Sequence, residues 1–360
     1  MEETIVQSAS IGYIISALIC GGILGFILQR GRFCMNSAFR DTIFIQDMTL
    51  FRGFLVALGI MIVGSNLLND MGFIELKPQT FYPLANIIGG YLFGIGMVLA
   101  AGCGSGIYYK TGEGQIAAGV AVMGFLVSAG ATFYGVLNPI YNAFRSVKVE
   151  LAGKPNATLW ELLGEGMTVK WTVIAIVAVA IFIFSLKDKP FSLGKQKGFY
   201  WSVTGLFLGF TGVLTFWASQ YWGGGFARGM NFTTPSAEFI STIVTGSAES
   251  KFFPMSNIGP FKITWGVLAL VGVPLGAYIS AKILKEFSWK IPSAQELITV
   301  FLGSLLMGFS GITAGGCNIG QGLTGVSTLS IGSISALISM ILGNWTAVYF
   351  KFIKPMKDME

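Results

Sequence analysis

The sequence predicts an all-α polytopic membrane protein, with about nine transmembrane helices plus short re-entrant helices or loops in two inverted pseudo-symmetric halves. Three observations predict it. Hydrophobic residues make up 53% of the 360-residue chain against 11% charged, and the mean hydropathy is +0.70. That balance leaves too little polar surface for a soluble globular domain. Apolar runs of membrane length recur along the whole chain. A glycine segment carrying a cysteine occurs twice, as "AAGCGSG" (100–106) and "TAGGCNIGQG" (313–322).

The first run, 11–29, follows acidic Glu2 and Glu3 rather than a basic stretch, and no small-residue cleavage site follows it. It reads as a span and not as a signal peptide. Further spans are predicted near 51–68, 84–101, 115–135, 171–186, 199–218, 260–281, 297–314 and 330–350. Each approaches the ~20 residues that cross a hydrocarbon core of about 30 Å. The pieces 33–45, 103–110, 236–247 and 317–327 are too short to cross. They are predicted to re-enter, which is tolerated only where protein or a wet cavity satisfies their backbone groups. The one long polar segment, 136–170, reads as an external linker. The whole chain, 1–360, is thus expected to be a single integral membrane transport domain, with repeat 1 at about 11–135 and repeat 2 at about 171–350.

Lysine and arginine set the orientation. With the N-terminus outside, the inside face receives Arg30, Arg32, Arg40, Lys110, Lys187, Lys189, Lys195, Lys197, Lys282, Lys285, Lys290, Lys351, Lys354 and Lys357. The outside holds Lys77, Arg145, Lys148, Lys154, Lys170, Arg228, Lys251 and Lys262. The positive-inside rule then places the N-terminus outside and the C-terminus in the cytoplasm. The net charge of +6 goes with orientation, and no basic block with interleaved aromatics points to nucleic acid.

Setting Cys103 over Cys317 aligns "GIGMVLAAGCGSG" (94–106) with "GFSGITAGGCNIG" (308–320). Upstream of each, "GRFCMN" (31–36) resembles "FARGMN" (226–231), so Gly229 stands where the first copy has Cys34. An odd number of spans between the copies gives them opposite orientations, the arrangement in which transporters build a site from interrupted helices at the repeat interface.

The chemistry rests on three thiols. Cys34, Cys103 and Cys317 lie beside glycine or arginine at predicted helix breaks, whereas Cys20 sits inside an uninterrupted apolar run and reads as a small hydrophobe. With no histidine, imidazole catalysis and imidazole metal binding are closed. A structural disulfide would leave an odd thiol, and a thiolate site for zinc or Cu(I) lacks any CxxC spacing, so no cofactor or metal is expected. Gly102, Gly104, Gly106, Gly315, Gly316 and Gly320, with Asn318 and the counterpart Gly229, are candidates for the substrate-path loops, because glycine lets backbone N–H groups approach a ligand. Soft S–H groups beside such donors suit an anion carrying both sulfur and oxygen. Arg32 and Lys110 would add long-range attraction. A membrane sulfurtransferase working through a cysteine persulfide is the enzyme alternative, but no adjacent base is visible to make a thiolate.

"LQRGRFCMNSAFRD" (28–41), "GIGMVLAAGCGSG" and "GFSGITAGGCNIGQGLTG" (308–325) resemble the YeeE/YedE family of membrane proteins, the sulfur-transport group that includes bacterial thiosulfate importers. The resemblance covers about 11–350. It implies inverted halves with short helical hairpins that reach the midplane of the inner membrane. It also implies a narrow route along which thiosulfate enters the cytoplasm by transient hydrogen bonds to thiols that map onto Cys34, Cys103 and Cys317. Some relatives are associated with a small TusA-like sulfur carrier on the cytosolic side. Few residues follow the last span here, so a carrier is expected only as a separate partner. A neighbouring branch is associated with selenium metabolism, which keeps a selenium compound or another reduced sulfur species open as substrate.

Overall fold

A computed structural model describes residues 7, 8, 10–187, 198–250 and 252–358. Glu2, Glu3, Lys189, Lys195, Lys197 and Lys251, used above, lie outside the described residues. Among those described, nine helices are long and apolar enough to cross a membrane. They are α1 (Ile11–Arg30), α3 (Thr49–Asp70), α4 (Pro83–Leu99), α6 (Ile116–Phe133), α8 (Met167–Leu186), α9 (Trp201–Trp222), α11 (Trp265–Ile283), α12 (Ala294–Ala314) and α13 (Ile331–Val348). The four pieces too short to cross are also helical. They are α2 (Met35–Phe44), α5 (Gly104–Gly112), α10 (Thr233–Thr245) and a π-helical stretch, Gly320–Gly325. Among the described residues, sheet is confined to β1 (Gln7–Ser8), β2 (Met255–Ile258) and β3 (Phe261–Thr264), with β1 parallel and β3 antiparallel to β2.

The ends of the described chain lie at opposite faces. The N-terminal face carries the small sheet, where the Tyr13 hydroxyl donates to the Ile263 carbonyl, and the 246–250 loop, where the Tyr134 hydroxyl donates to the Ala248 carbonyl. The C-terminal face carries the 110–116 and 284–293 turns, joined where Lys290 N–H donates to the Gly114 carbonyl.

Helix packing repeats within the molecule. α1 lies on α11 as α9 lies on α3, and α4 lies on α13 as α12 lies on α6. α1 and α9 also touch each other, as do α4 and α12. The short helices follow the same rule, since α5 packs on α11 and α6 while Gly320–Gly325 packs on α3 and α13. Among the described spanning helices, α8 alone lacks a counterpart; it lies on α3, with most of its surface outward.

Lipid gives helices no hydrophobic reason to associate, so the pairs rely on close backbone approach through small residues. A Cβ added at Gly25 of α1 would fall on the Val273 carbonyl of α11, and one at Gly205 of α9 on the Gly53 carbonyl of α3. The matching contacts in the other pairs are Gly94 on the Met340 carbonyl and Gly308 on the Phe125 carbonyl.

The polar linker is an ordered strap over the N-terminal face, and it begins with α7 (Asn138–Phe144). Its backbone pairs with Phe81 through Val149 and Pro155, then with Leu329 and Ile331 through Leu159 and Ala157. Glu161 caps its last turn, accepting from Thr158 N–H at 2.8 Å and Lys154 Nζ at 2.7 Å. Partial burial pushes this carboxyl up, but Lys154 and Thr158 outweigh it and hold the group below the usual carboxylate range.

Gly25→Val is therefore expected to lower the melting temperature in detergent, since overpacking costs about 1–3 kcal/mol. Gly59→Val is the control, because a Cβ there meets only Ile181 Cγ2 at 3.4 Å. Equal melting temperatures for the two variants would contradict the close α1–α11 approach.

Candidate functional site

Each of the three thiols stands where a short helix begins. α1 ends at Arg30, the chain reverses through Gly31 and Arg32 at φ 50°, and Cys34 is the N-cap of α2. α4 ends at Leu99, Ala101 takes φ 54°, and Cys103 is the N-cap of α5. α12 ends at Ala314, Gly315 takes φ 87°, and Cys317 precedes Gly320–Gly325. The second and third breaks share their bonds as well as their shape. Gly102 N–H donates to the Met97 carbonyl as Gly316 N–H donates to that of Gly311. Gly106 N–H donates to Cys103 Sγ at 3.3 Å as Gly320 N–H donates to Cys317 Sγ at 3.5 Å. A helix start leaves N–H groups without partners. A thiol is a weaker acceptor than the usual serine or aspartate cap, so these donors stay available to an anion.

All three thiols are buried and gather about the first turn of α5. Cys34 Sγ lies 3.7 Å from Cys103 Sγ, and Ser105 Oγ lies 3.3 Å from Cys103 Sγ. A Cβ at Gly106 would sit 2.8 Å from Cys34 Sγ and 3.2 Å from Cys103 Sγ. One at Gly104 would sit 3.4 Å from Cys317 Sγ and 3.6 Å from Phe232 Cβ, at the start of α10. These two glycines leave the sulfurs a bare face of α5 to line. Gly102 instead packs on Ile107 Cγ2, 3.1 Å from where its Cβ would be. Cys20 is elsewhere, packed with Tyr13, Ala17, Ala218 and Trp265.

Above the Cys317 loop a cavity of ≈ 320 Å³ opens at the N-terminal face. Gly229, Gly315 and Gly320 line it, with Lys77, Gln79 and Arg145. A Cβ at Gly229 would strike Thr324 and Phe216, and one at Gly320 would lie 2.7 Å from Asn231 Oδ1. Arg145, from the strap, stacks on Tyr82 with its guanidinium carbon 4.6 Å from the ring centre, and the group lies 3.2 Å from where a Gly315 Cβ would be. Gly316 backs onto Gln321, whose amide donates to the Ala314 carbonyl at 2.6 Å and to Gln79 Oε1 at 3.1 Å. Asn318, beside Cys317, is fully buried; its Nδ2 faces Met97 Sδ at 3.9 Å, and its Oδ1 has no partner among the described residues.

Arg32 is not brought to the thiols by its side chain. It points to the C-terminal face, where it bridges Glu113 at 3.4 Å and Glu286 at 2.6 Å. Lys110 Nζ donates to the Ala101 carbonyl at 3.0 Å. Sequence reasoning counted Arg145 and Arg228 only as topology markers. The structure puts both at the cavity, and buries Arg228 against Glu238, 2.8 Å apart. Gln321 was legible in principle, as a polar side chain inside the repeated glycine segment.

Interrupted helices meeting inside an apolar bundle, with buried cysteines at their starts and cations over one mouth, define a membrane transport protein. A family model described as sulphur transport matches residues 30–346. The thiosulfate transporter TsuA of Escherichia coli K12 is 30% identical over 352 residues, covering 96% of both chains. That of Spirochaeta thermophila is 32% identical over 345 residues, covering 94% of this chain and 98% of its own. The probable transporter YedE of E. coli K12 is 31% identical over 101 residues, 28% of this chain and 24% of that one. The chain belongs to the sulphur-transport family, as the YeeE/YedE resemblance anticipated.

The sulfur spacing is open to a direct check. Mild oxidation of the purified protein should link Cys34 to Cys103 faster than either to Cys20, as read by peptide mass. Gly106→Ala, which inserts a methyl group against both sulfurs, should slow that link. A dominant Cys20 adduct would show that the thiols are not arranged in this way.

Proposed function

We propose that this protein imports thiosulfate through the inner membrane of a bacterium, and that the anion passes Cys317, Cys103 and Cys34 in that order. The observation that carries the reading is the strip of three buried cysteines along the bare first turn of α5, beneath a cavity edged by Lys77 and Arg145. Thiosulfate is a dianion with a large, polarizable terminal sulfur and three oxygens. An S–H group is a weak donor that holds soft sulfur without trapping it, and several weak sites in series favour conduction. A charged side chain at the same depth would cost desolvation and bind too well. Cys34 and Cys103 are in van der Waals contact, so the passage widens when the anion goes by.

The same reading assigns the two halves. Matching α1, α3, α4 and α6 to α9, α11, α12 and α13 accounts for every repeated helix pair. With one crossing per helix, α9 is the sixth crossing and α1 the first, so the copies run in opposite directions. We place the second half at 201–348 rather than from about 171, because α8 matches nothing. A single extra span between two four-span sets is what inverts one against the other. The N-terminal face is then external and the C-terminal face cytoplasmic, where a TusA-like carrier would receive the product.

In a bacterium lacking other sulfur uptake, the gene should support growth on thiosulfate as sole sulfur source. Cys34→Ala, Cys103→Ala and Cys317→Ala should each cut uptake about ten-fold or more with expression unchanged, the worth of one lost hydrogen bond. Cys20→Ala should transport normally. Full uptake in all three path variants would end the thiol reading, and a stable persulfide found after substrate exposure would favour a sulfurtransferase.

Gly229→Leu should lower both uptake and the melting temperature in detergent, because its side chain meets Thr324 and Phe216. A C-terminal fluorescent fusion should be bright; a dark fusion with an active C-terminal alkaline phosphatase would reverse the orientation.

A further inference from the structure

The two ends of the path are built differently. At the N-terminal face the cavity reaches Gly315 and Gly320, so the approach to Cys317 is open. At the other end Cys34 and Cys103 touch, and the cluster around Arg32 lies beyond them. We infer that Arg32, Glu113 and Glu286 form a latch that holds the C-terminal end of the path shut and releases it when an anion reaches Cys34. The inference rests on the proposed path only in taking Cys34 as the last thiol before this face.

Connectivity is the first argument. Arg32 lies two residues before Cys34, in the turn joining α1 to α2. Glu113 is the C-cap of α5, the helix whose N-cap is Cys103. One ion pair therefore ties the segment carrying one sulfur to the element carrying the other. Glu286 adds the connection from α11 to α12, and the fully buried Gln29 reaches both carboxylates, at 3.3 Å and 3.2 Å. Cys34 cannot draw away from Cys103 while Arg32 keeps these partners in place.

The contrast with the other half is the second argument. Arg228 and Glu238 are 5% and 0% exposed, and Thr264 and Ser250 take up the remaining carboxylate positions. Parting them would strand buried charge, so that pair is a permanent brace. The Arg32 side chain is 40% exposed. Its release returns the guanidinium to water, and the carboxylates it leaves keep other donors, Gln29 on both and Gln115 on the buried Glu113.

Charge supplies the trigger. One cation against two carboxylates leaves this three-residue cluster net negative, which opposes a dianion beside it. The same dianion, once at Cys34, offers the guanidinium a competing partner of matching geometry. A positioning role of this kind differs from attraction at long range, because the bound carboxylates cancel the arginine until the anion arrives.

The test reads thiol accessibility, so it gives an answer whatever anion is carried. Inside-out membrane vesicles holding the full chain are treated with 2-sulfonatoethyl methanethiosulfonate, an impermeant anionic thiol reagent, and modification of Cys34 is followed by mass. Glu286→Gln and Glu113→Gln should each speed it about five-fold, the scale of one partly exposed ion pair. Arg32→Gln should speed it likewise, whereas Arg32→Lys, which keeps the cation between the two carboxylates, should leave the rate near that of the unsubstituted protein. An unchanged rate in Glu286→Gln overturns the latch, as does an unchanged rate in Arg32→Gln. If Cys20 becomes reactive along with Cys34, the cluster is a brace of the fold, and the proposal falls.

Discussion

A helix broken inside hydrocarbon must have its freed backbone groups bonded by protein, and this requirement governs the rest of the structure. The Ala314 carbonyl, where α12 stops, takes both the Asn86 amide at 3.0 Å and the Gln321 amide at 2.6 Å. Asn66 closes the Ser327 carbonyl at 3.0 Å, Thr324 closes that of Met230 at 2.6 Å, and Ser219 serves both the N–H and the carbonyl of Arg228. Polar side chains that look out of place within apolar spans are thus the means by which the short helices exist. The close glycine contacts between spans bring these side chains within reach.

Once the breaks are stable, the thiols acquire their setting mainly from backbone and uncharged side chains, with Lys110 bonded to the Ala101 carbonyl at the second break. Cysteine at an N-cap satisfies a helix start weakly, and glycine at the next positions keeps the surface bare. The consequence is a passage that offers modest, repeated interactions at depth. Strong charge is reserved for the ends, with Lys77 and Arg145 at one mouth and the Arg32 cluster at the other. On the proposed path, an anion is drawn in by fields that reach through water and is then handled by contacts too weak to hold it.

The strap shows how a segment outside the membrane enters the site. Its backbone bonds to Leu329 and Ile331 fix the turn that leads into α13. The same segment carries Arg145 to the rim above Gly315. Entrance electrostatics and stability of the third break therefore depend on one stretch of chain.

Hydropathy and length alone located all nine spanning helices to within a few residues at most ends, because crossing a bilayer is a demand each segment meets by itself. The same reasoning found the four short helices, since a piece too short to cross, set between spans, has few other places to be. Glycine next to cysteine marked the breaks. What the sequence left open depends on pairs far apart in the chain. The contact of Cys34 with Cys103, 69 residues on, and the bridge from Arg32 to Glu286, 254 residues on, are set by how helices cross. Arg145 and Arg228 look alike to a charge count and both line the cavity, yet Arg228 is sealed against Glu238 while Arg145 stacks on Tyr82, because burial is decided by neighbours that local composition does not encode.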